Sequence, residues 1–149
     1  MAVTDNDACA FYVSDYHLEM IMLPYINENF KKNKKVYVFT QDNLEETMNH
    51  LMENVNIDKD LKNEVFKINW KNEDESKYKK LLDDKNETVI FIKGNEKYIQ
   101  KVNRNLEQIK SYKNIEIVDC YSLEEVGCKA EEIKQNYNHL LMTNGKIKM

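Results

Sequence analysis

Short apolar runs alternate with helical patterns along this chain. The clearest run is residues 88–92, Thr-Val-Ile-Phe-Ile, which lacks the alternation of a half-exposed strand. Such a run is typical of a strand that is buried on both faces, as the strands of parallel sheets are. Gly94 and Asn95 follow it and mark the end of the strand and the start of a helix. This stretch predicts the central strand of an α/β domain.

Four further strands are predicted from the same patterns. Residues 8–13 form a continuous apolar run, residues 36–39 and 115–120 are further predicted strands, and residues 65–70 alternate between apolar and polar positions. The alternation predicts a strand at the edge of the sheet. The last predicted helix begins at Ser122 and is long, with an apolar stripe from Leu123 to Leu141 and with Gly145 beyond its end. The other predicted helices start near Ser14, Asp42, Asp74 and Glu96.

The alternation of strands and helices predicts one α/β domain over residues 1–149. We expect a three-layer α/β/α sandwich with a mainly parallel five-stranded sheet, Rossmann-like or RecA-like. An edge position for residues 65–70 favours the strand order 3-2-1-4-5 over 2-1-3-4-5.

Ligands of open parallel sheets usually bind beyond the carboxyl ends of the strands. The polar side chains at these ends also make good helix caps, and capping alone accounts for several of them. Two functional alternatives remain: the helix amino termini hold an anion, or the acidic side chains hold a divalent cation. The residues predicted to face a ligand are Ser14, Asp15, His17, Thr40, Gln41, Asp42, Gly94, Asn95, Asp119 and Ser122.

Known chemical signatures are missing from these loops. The three glycines, at positions 94, 127 and 145, cannot form a dinucleotide or P-loop phosphate motif. The three histidines lie on predicted helices, and none has another His or a Cys one turn away. We therefore predict no catalytic residue, no metal ligand and no cofactor.

Charge and cysteine usage limit the classes of partner. The net charge is −4, and neither sign forms a long block, which disfavours binding to nucleic acid or to an anionic membrane. No apolar run is long enough to span a bilayer, and the first residues are acidic rather than basic. Three cysteines without a paired spacing predict reduced thiols and a cytoplasmic location.

The amino-terminal part of the chain resembles a known family. Residues 10–14 read Ala-Phe-Tyr-Val-Ser, residues 23–26 read Leu-Pro-Tyr-Ile, and residues 35–42 read Lys-Val-Tyr-Val-Phe-Thr-Gln-Asp. This pattern is similar to MEDS sensory domains, which are regulatory relatives of KaiC-like and RecA-like ATPases. The resemblance implies an α/β core that is used for sensing or for protein contacts, with Thr40, Gln41 and Asp42 in a ligand-facing turn.

The chain departs from the active ATPases of that group after its first strand. Ser14-Asp15-Tyr16-His17 stands where a nucleotide-binding loop should be, and it contains no Gly-Lys-Ser/Thr sequence. The leading hypothesis is therefore a non-catalytic sensing, regulatory or protein-interaction module, with a small-molecule ligand and with a homodimer or a regulatory protein as partner. The competing hypothesis is a small enzyme for a phosphorylated or carboxylated metabolite, in which Asp15, His17 and Asp119 act as acid, base or metal groups.

Overall fold

Six strands form one mostly parallel sheet in the computed structural model of the protein, which describes residues 7–149. The sheet order is β2-β3-β4-β1-β5-β6, and only the pairing of β5 with β6 is antiparallel. The strands are β1 Asp7–Tyr12, β2 Lys35–Thr40, β3 Thr88–Lys93, β4 Ile115–Ser122, β5 His139–Met142 and β6 Gly145–Lys148.

Helices contribute to an apolar core on each face of the sheet. The odd and even residues of β3 separate between the two cores, with Phe91 in one and Ile92 in the other. Helices α1, α2 and α3 belong to the core of Phe91, and α4, α5 and α7 belong to the core of Ile92. The helices are α1 Asp15–Lys31, α2 Glu45–Asn54, α3 Lys59–Lys67, α4 Asp74–Asp83, α5 Glu96–Lys110, α6 Leu123–Val126 and α7 Ala130–Lys134, with a 3₁₀ turn at Gly127–Lys129 between the last two.

The buried strand at residues 88–92 is confirmed, because every residue of β3 is buried. Its central position is wrong, since β3 lies next to the edge strand β2 and the middle of the sheet is formed by β4 and β1. The predictions at residues 8–13, 36–39 and 115–120 correspond to β1, β2 and β4.

The strand predicted at residues 65–70 is wrong, because α3 continues to Lys67. Phe66, which the alternation placed on the inner side, is 49% exposed. The residues that pack are Leu61, Val65 and Ile68, whose spacing is that of a helix. Trp70 is buried after the end of the helix, and its indole N–H donates to the Val65 carbonyl at 2.9 Å.

The long carboxy-terminal helix is also wrong. Gly127 has φ +53° and interrupts the helix after α6, and residues 139–148 form the β5–β6 hairpin. Gly145 begins β6 rather than following a helix, and its φ of +121° requires the conformational freedom of glycine. The sheet therefore has six strands instead of five, and β1 lies between β4 and β5, which matches neither predicted order.

The chain order creates one switch point in the sheet. From β1 the chain passes through α1 to β2 at one edge, whereas from β4 it passes through α6 and α7 to β5 on the other side of β1. Ligand-binding crevices of open α/β sheets lie where the direction of travel reverses in this way. The carboxyl ends of β4 and β1, with that of β3 beside them, are therefore the place to look for a site. In the described part of the chain, no helix is long and apolar enough to cross a membrane.

Candidate functional site

A buried lysine lies at the centre of the strand ends. Lys93 is the last residue of β3, and the two-residue period of the strand places its side chain on the face that carries Phe91. The side chain is only 8% exposed, and its Nζ lies 3.4 Å from Asp15 Oδ1 and 3.7 Å from Asp42 Oδ2. The ammonium also lies 5.6 Å from the centre of the Tyr12 ring, a cation–π distance. One ammonium group thus joins the ends of β1, β2 and β3.

Glu19 is a second charged side chain beside Lys93 that the sequence analysis missed. It follows Asp15 by one helical turn, is 7% exposed, and has no hydrogen-bond partner among the described residues. Burial raises the pKa of Glu19 to about 7; Asp15 raises it as well, while Lys93 lowers it. Glu19 and Lys93 line a small cavity together with Trp70. Each residue has a signal in the sequence. Glu19 lies on an otherwise apolar helix face, and Lys93 lies at the end of an apolar strand.

Gln41, Gly94 and Asn95 form a tight junction between the ends of β2 and β3. The Gln41 side-chain oxygen accepts from the Asn95 backbone N–H at 2.9 Å, and the Gln41 backbone N–H donates to the Lys93 carbonyl at 3.0 Å. A Cβ on Gly94 would lie 2.5 Å from Tyr98 Cδ2 and 2.8 Å from Gln41 Oε1. Glycine at position 94 is what allows this close approach.

The capping interpretation is confirmed for two of the predicted caps. Ser14 Oγ accepts from the His17 backbone N–H at 3.1 Å, and Asn95 Oδ1 accepts from the Tyr98 N–H at 2.8 Å. It is wrong for Asp42 and Ser122. Helix α2 begins only at Glu45, where Asn43 Oδ1 accepts from the backbone N–H, and Ser122 makes no capping bond to α6.

Thr40 and His17 bond to nearby backbone groups. Thr40 is buried; its hydroxyl donates to the Asp42 carbonyl at 2.7 Å and accepts from the Asp42 N–H at 3.2 Å. His17 Nδ1 accepts from the Val13 N–H at 3.0 Å. The His17 ring lines a cleft with Phe11 and Leu140 rather than the cavity beside Lys93.

Asp119 belongs to a separate polar cluster on the opposite face of the sheet. It is 4% exposed; its Oδ1 accepts from Asn103 Nδ2 at 3.0 Å, and its Oδ2 accepts from the Tyr137 hydroxyl at 2.5 Å. The hydroxyls of Tyr137 and Tyr121 lie 2.6 Å apart. Burial raises the pKa of Asp119 to about 7, although its two hydrogen bonds lower it. These groups line a cleft of about 300 Å³ between α5 and the segment that follows α7.

The structure therefore divides the predicted site residues. Asp15 and Asp42 contact Lys93, and Gln41 and Asn95 join the adjacent strand ends. His17 lines a different cleft, Asp119 lies on the other face, and Ser122 ends β4. Among the described residues, no group of three or more His, Cys, Asp or Glu side chains is placed to hold a metal ion.

Comparison with known proteins does not assign this chain to a family, so a function must be argued from the geometry of the site. No family model, curated protein or solved structure matches this chain. What the fold defines is an α/β domain whose strand ends hold a buried lysine paired with two carboxylates, beside a cavity of about 10 Å³.

Proposed function

We propose that this protein is a non-catalytic cytoplasmic sensing module, built as a three-layer α/β/α sandwich, that binds a small anionic ligand at the carboxyl ends of its strands. The observation that carries the proposal is the position of Lys93. Its ammonium is buried at the switch point of the sheet, while both carboxylates that neutralise it are accessible to solvent. The ligand class is a carboxylate or a phosphate.

Exchange of ion pairs is the expected mode of binding. Asp42 is 79% exposed and lies 3.7 Å from Lys93 Nζ, a geometry that contributes little stability. A ligand anion can take its place on Lys93 while Asp15 remains. The first backbone N–H groups of α1, next to Asp15, have no partner within the helix and favour negative charge.

Displacement of Asp42 from Lys93 by the ligand supplies a route for a signal. The turn that carries Asp42 also carries Gln41, which is bonded to Asn95 at the start of α5, and it leads into α2. A ligand that releases Asp42 from Lys93 changes the constraint on this turn. The two helices then respond to the same event, which is what a sensing domain requires.

Two features favour sensing over catalysis. Ser14 Oγ and His17 Nδ1 are the atoms to consider as a nucleophile and its base. Both already accept backbone hydrogen bonds. The resemblance of the amino-terminal part to MEDS domains, together with the absence of a P-loop sequence, agrees with a regulatory role.

The test is an amide NMR titration with inorganic phosphate and with malonate. We expect saturable shifts at Tyr16 and Asp42 that disappear in Lys93→Met and persist in Lys97→Met, which removes an exposed lysine from α5. Incubation with magnesium and ATP should release no phosphate above the buffer rate. Equal shifts in the Lys93→Met variant would refute the ligand site, and phosphate release by the wild type would refute the non-catalytic role.

An enzyme that acts on a phosphorylated or carboxylated metabolite is the alternative. It is favoured by the carboxyl groups of Glu19 and Asp119, whose pKa values of about 7 suit general acid–base chemistry. The double variant Asp15→Asn with Asp119→Asn separates the two functions. Unchanged ligand binding, with no turnover lost across a substrate panel, favours sensing. Stabilisation by a divalent metal that vanishes in the double variant favours the enzyme.

A further inference from the structure

The outer edge of β2 carries backbone groups that no other strand covers. The Lys35 N–H donates to the Glu87 carbonyl at 2.9 Å, and the Gln41 N–H donates to the Lys93 carbonyl at 3.0 Å, so the odd residues of β2 face β3. Val36 and Val38 therefore direct their N–H and C=O groups away from the sheet. Within the described residues, no hydrogen bond reaches the N–H or C=O of Val36 on this side.

A groove of about 220 Å³ runs along this edge. Residues from the end of α3 form one side of it and residues of α4 form the other, because these helices pack on opposite faces of the sheet. Val36 and Val38 lie at the base of the groove. The groove therefore has the shape that an added strand needs, with an edge at its base and walls on both sides.

Lys77 lies at the inner end of the groove. Its side chain is 2% exposed, and its Nζ donates to the Val38 carbonyl at 2.5 Å and to the Lys71 carbonyl. An ammonium group has three hydrogens, so one remains. No carboxylate among the described residues forms an ion pair with it, and burial lowers the pKa of Lys77 to about 8. The charges of Asp74 and Glu73 raise this pKa, but neither carboxylate forms an ion pair with the ammonium. A buried ammonium with no carboxylate in contact favours a ligand that brings a negative charge.

The other charged side chains of the groove also favour a negatively charged ligand. Lys35 and Lys80 line it and take part in no ion pair within the described chain, and Lys67 is paired with Glu64 at 3.1 Å. Asp84 is the other acidic side chain, and it accepts from the Tyr37 hydroxyl at 3.1 Å. The groove is thus a positive region on a chain whose net charge is −4.

We propose that the edge of β2 binds an extended acidic segment of a partner protein as an additional strand. The segment forms its backbone hydrogen bonds with Val36, because Val38 is 1% exposed, and its acidic side chains lie against Lys35 and Lys80. This surface is separate from the strand-end crevice around Lys93, so the two sites are tested by different variants.

The test uses a labelled eight-residue peptide of alternating threonine and glutamate with blocked termini, followed by fluorescence anisotropy. Two control peptides have the same length: one carries lysine in place of glutamate, and one keeps the glutamates but is N-methylated along its backbone. We expect only the first peptide to bind. Lys80→Glu should weaken its binding at least fivefold, and the matched variant Lys79→Glu, outside the groove, should leave it unchanged.

Val36→Pro tests the backbone contact. Proline removes an N–H that points outward from an edge strand, where it is tolerated, so we expect a folded protein that no longer binds the peptide. If this variant does not fold, Lys80→Glu still decides the question. Binding of the N-methylated peptide with equal affinity, or no effect of Lys80→Glu, would overturn the proposal. Self-association that Lys80→Glu or Val36→Pro abolishes would also overturn it, because the occupant would then be a second copy of this chain.

Discussion

Asp119 is a carboxylic acid that the fold removes from water. Its two oxygens accept hydrogen bonds from Asn103 and Tyr137, yet burial is the larger influence and raises the pKa of the group to about 7. Its place on β4 explains this, since the strand directs residue 119 into the core beneath α5. A group in this position makes stability depend on pH.

Asp119→Asn should change that dependence. In the unfolded chain the carboxyl has a pKa near 4, below the native pKa of about 7, so the native state holds the proton between these values. Asp119 therefore stabilises the wild type most below pH 4, and this stability falls as the pH rises through 7. We expect Asp119→Asn to be the less stable protein at pH 4 and to recover relative to the wild type by pH 8.

Urea unfolding of both proteins across this range measures the difference in the free energy of unfolding. Asp83→Asn is the matched control, because Asp83 is an exposed aspartate on α4 that does not line this cleft. A constant difference between wild type and Asp119→Asn from pH 4 to 8 would show that folding does not raise the pKa of Asp119.

Lys93→Met should raise the pKa of Glu19 above its value of about 7, because the Lys93 charge lowers it. The methionine side chain keeps most of the volume of lysine in this buried position. Carbon NMR titration of the Glu19 carboxyl measures the shift, with Lys97→Met as control. Glu19 loses its stabilising effect as the pH rises from the pKa of the unfolded chain to the native pKa, so a higher native pKa extends this range upward. An unchanged pKa in Lys93→Met would mean that the two charges do not interact.

At the scale of residues, the sequence predicted where side chains lie better than it predicted which side chains they contact. Asp15, Asp42 and Asn95 were expected at the strand ends and lie there, around Lys93. Lys93 itself was missed, since a lysine after an apolar run is usually the first exposed residue. Only the sheet order, which brings Tyr12 and Asp15 over the end of β3, explains why it is buried.

At the scale of elements, the local pattern of apolar residues predicted the strands in which most residues are buried. Most residues of the strands β1, β2, β3 and β4 are buried, and these strands were predicted correctly. Helix α3 was mistaken for a strand because Phe66, Ile68 and Trp70 are spaced two residues apart. Because Phe66 is exposed, the alternating pattern of apolar residues did not correspond to a strand. In the carboxy-terminal part, a helical stripe continued through residues that form β5, and the signal against it was Asn144 before Gly145.

Gly94→Ala tests the junction between β3 and α5. The added methyl group meets Tyr98 Cδ2 at 2.5 Å and Gln41 Oε1 at 2.8 Å, so the Gln41 contact with Asn95 must yield. We expect a loss of about 1–3 kcal/mol in the free energy of unfolding, measured by denaturant titration. Lys97→Ala, at an exposed position of α5, provides a control for a substitution on this helix. Wild-type stability of Gly94→Ala would contradict the close packing at this junction.

At the scale of the whole molecule, the order of the strands decides what the chain can do. Because β1 lies between β4 and β5, the chain reverses direction at the middle of the sheet, and Lys93 reaches this point from β3. Sequence predicted an α/β domain but not this order, since strand pairing depends on contacts between distant segments that leave no local pattern. The same order leaves β2 as an edge strand with its own groove.

Native mass spectrometry of the purified protein tests the central claim most directly. We predict that the wild type retains a small anionic adduct that is absent from the denatured protein, is absent from Lys93→Met and keeps its mass during incubation. An adduct that both proteins carry would contradict binding at Lys93. An adduct that is converted to a product of different mass would contradict a non-catalytic sensing role.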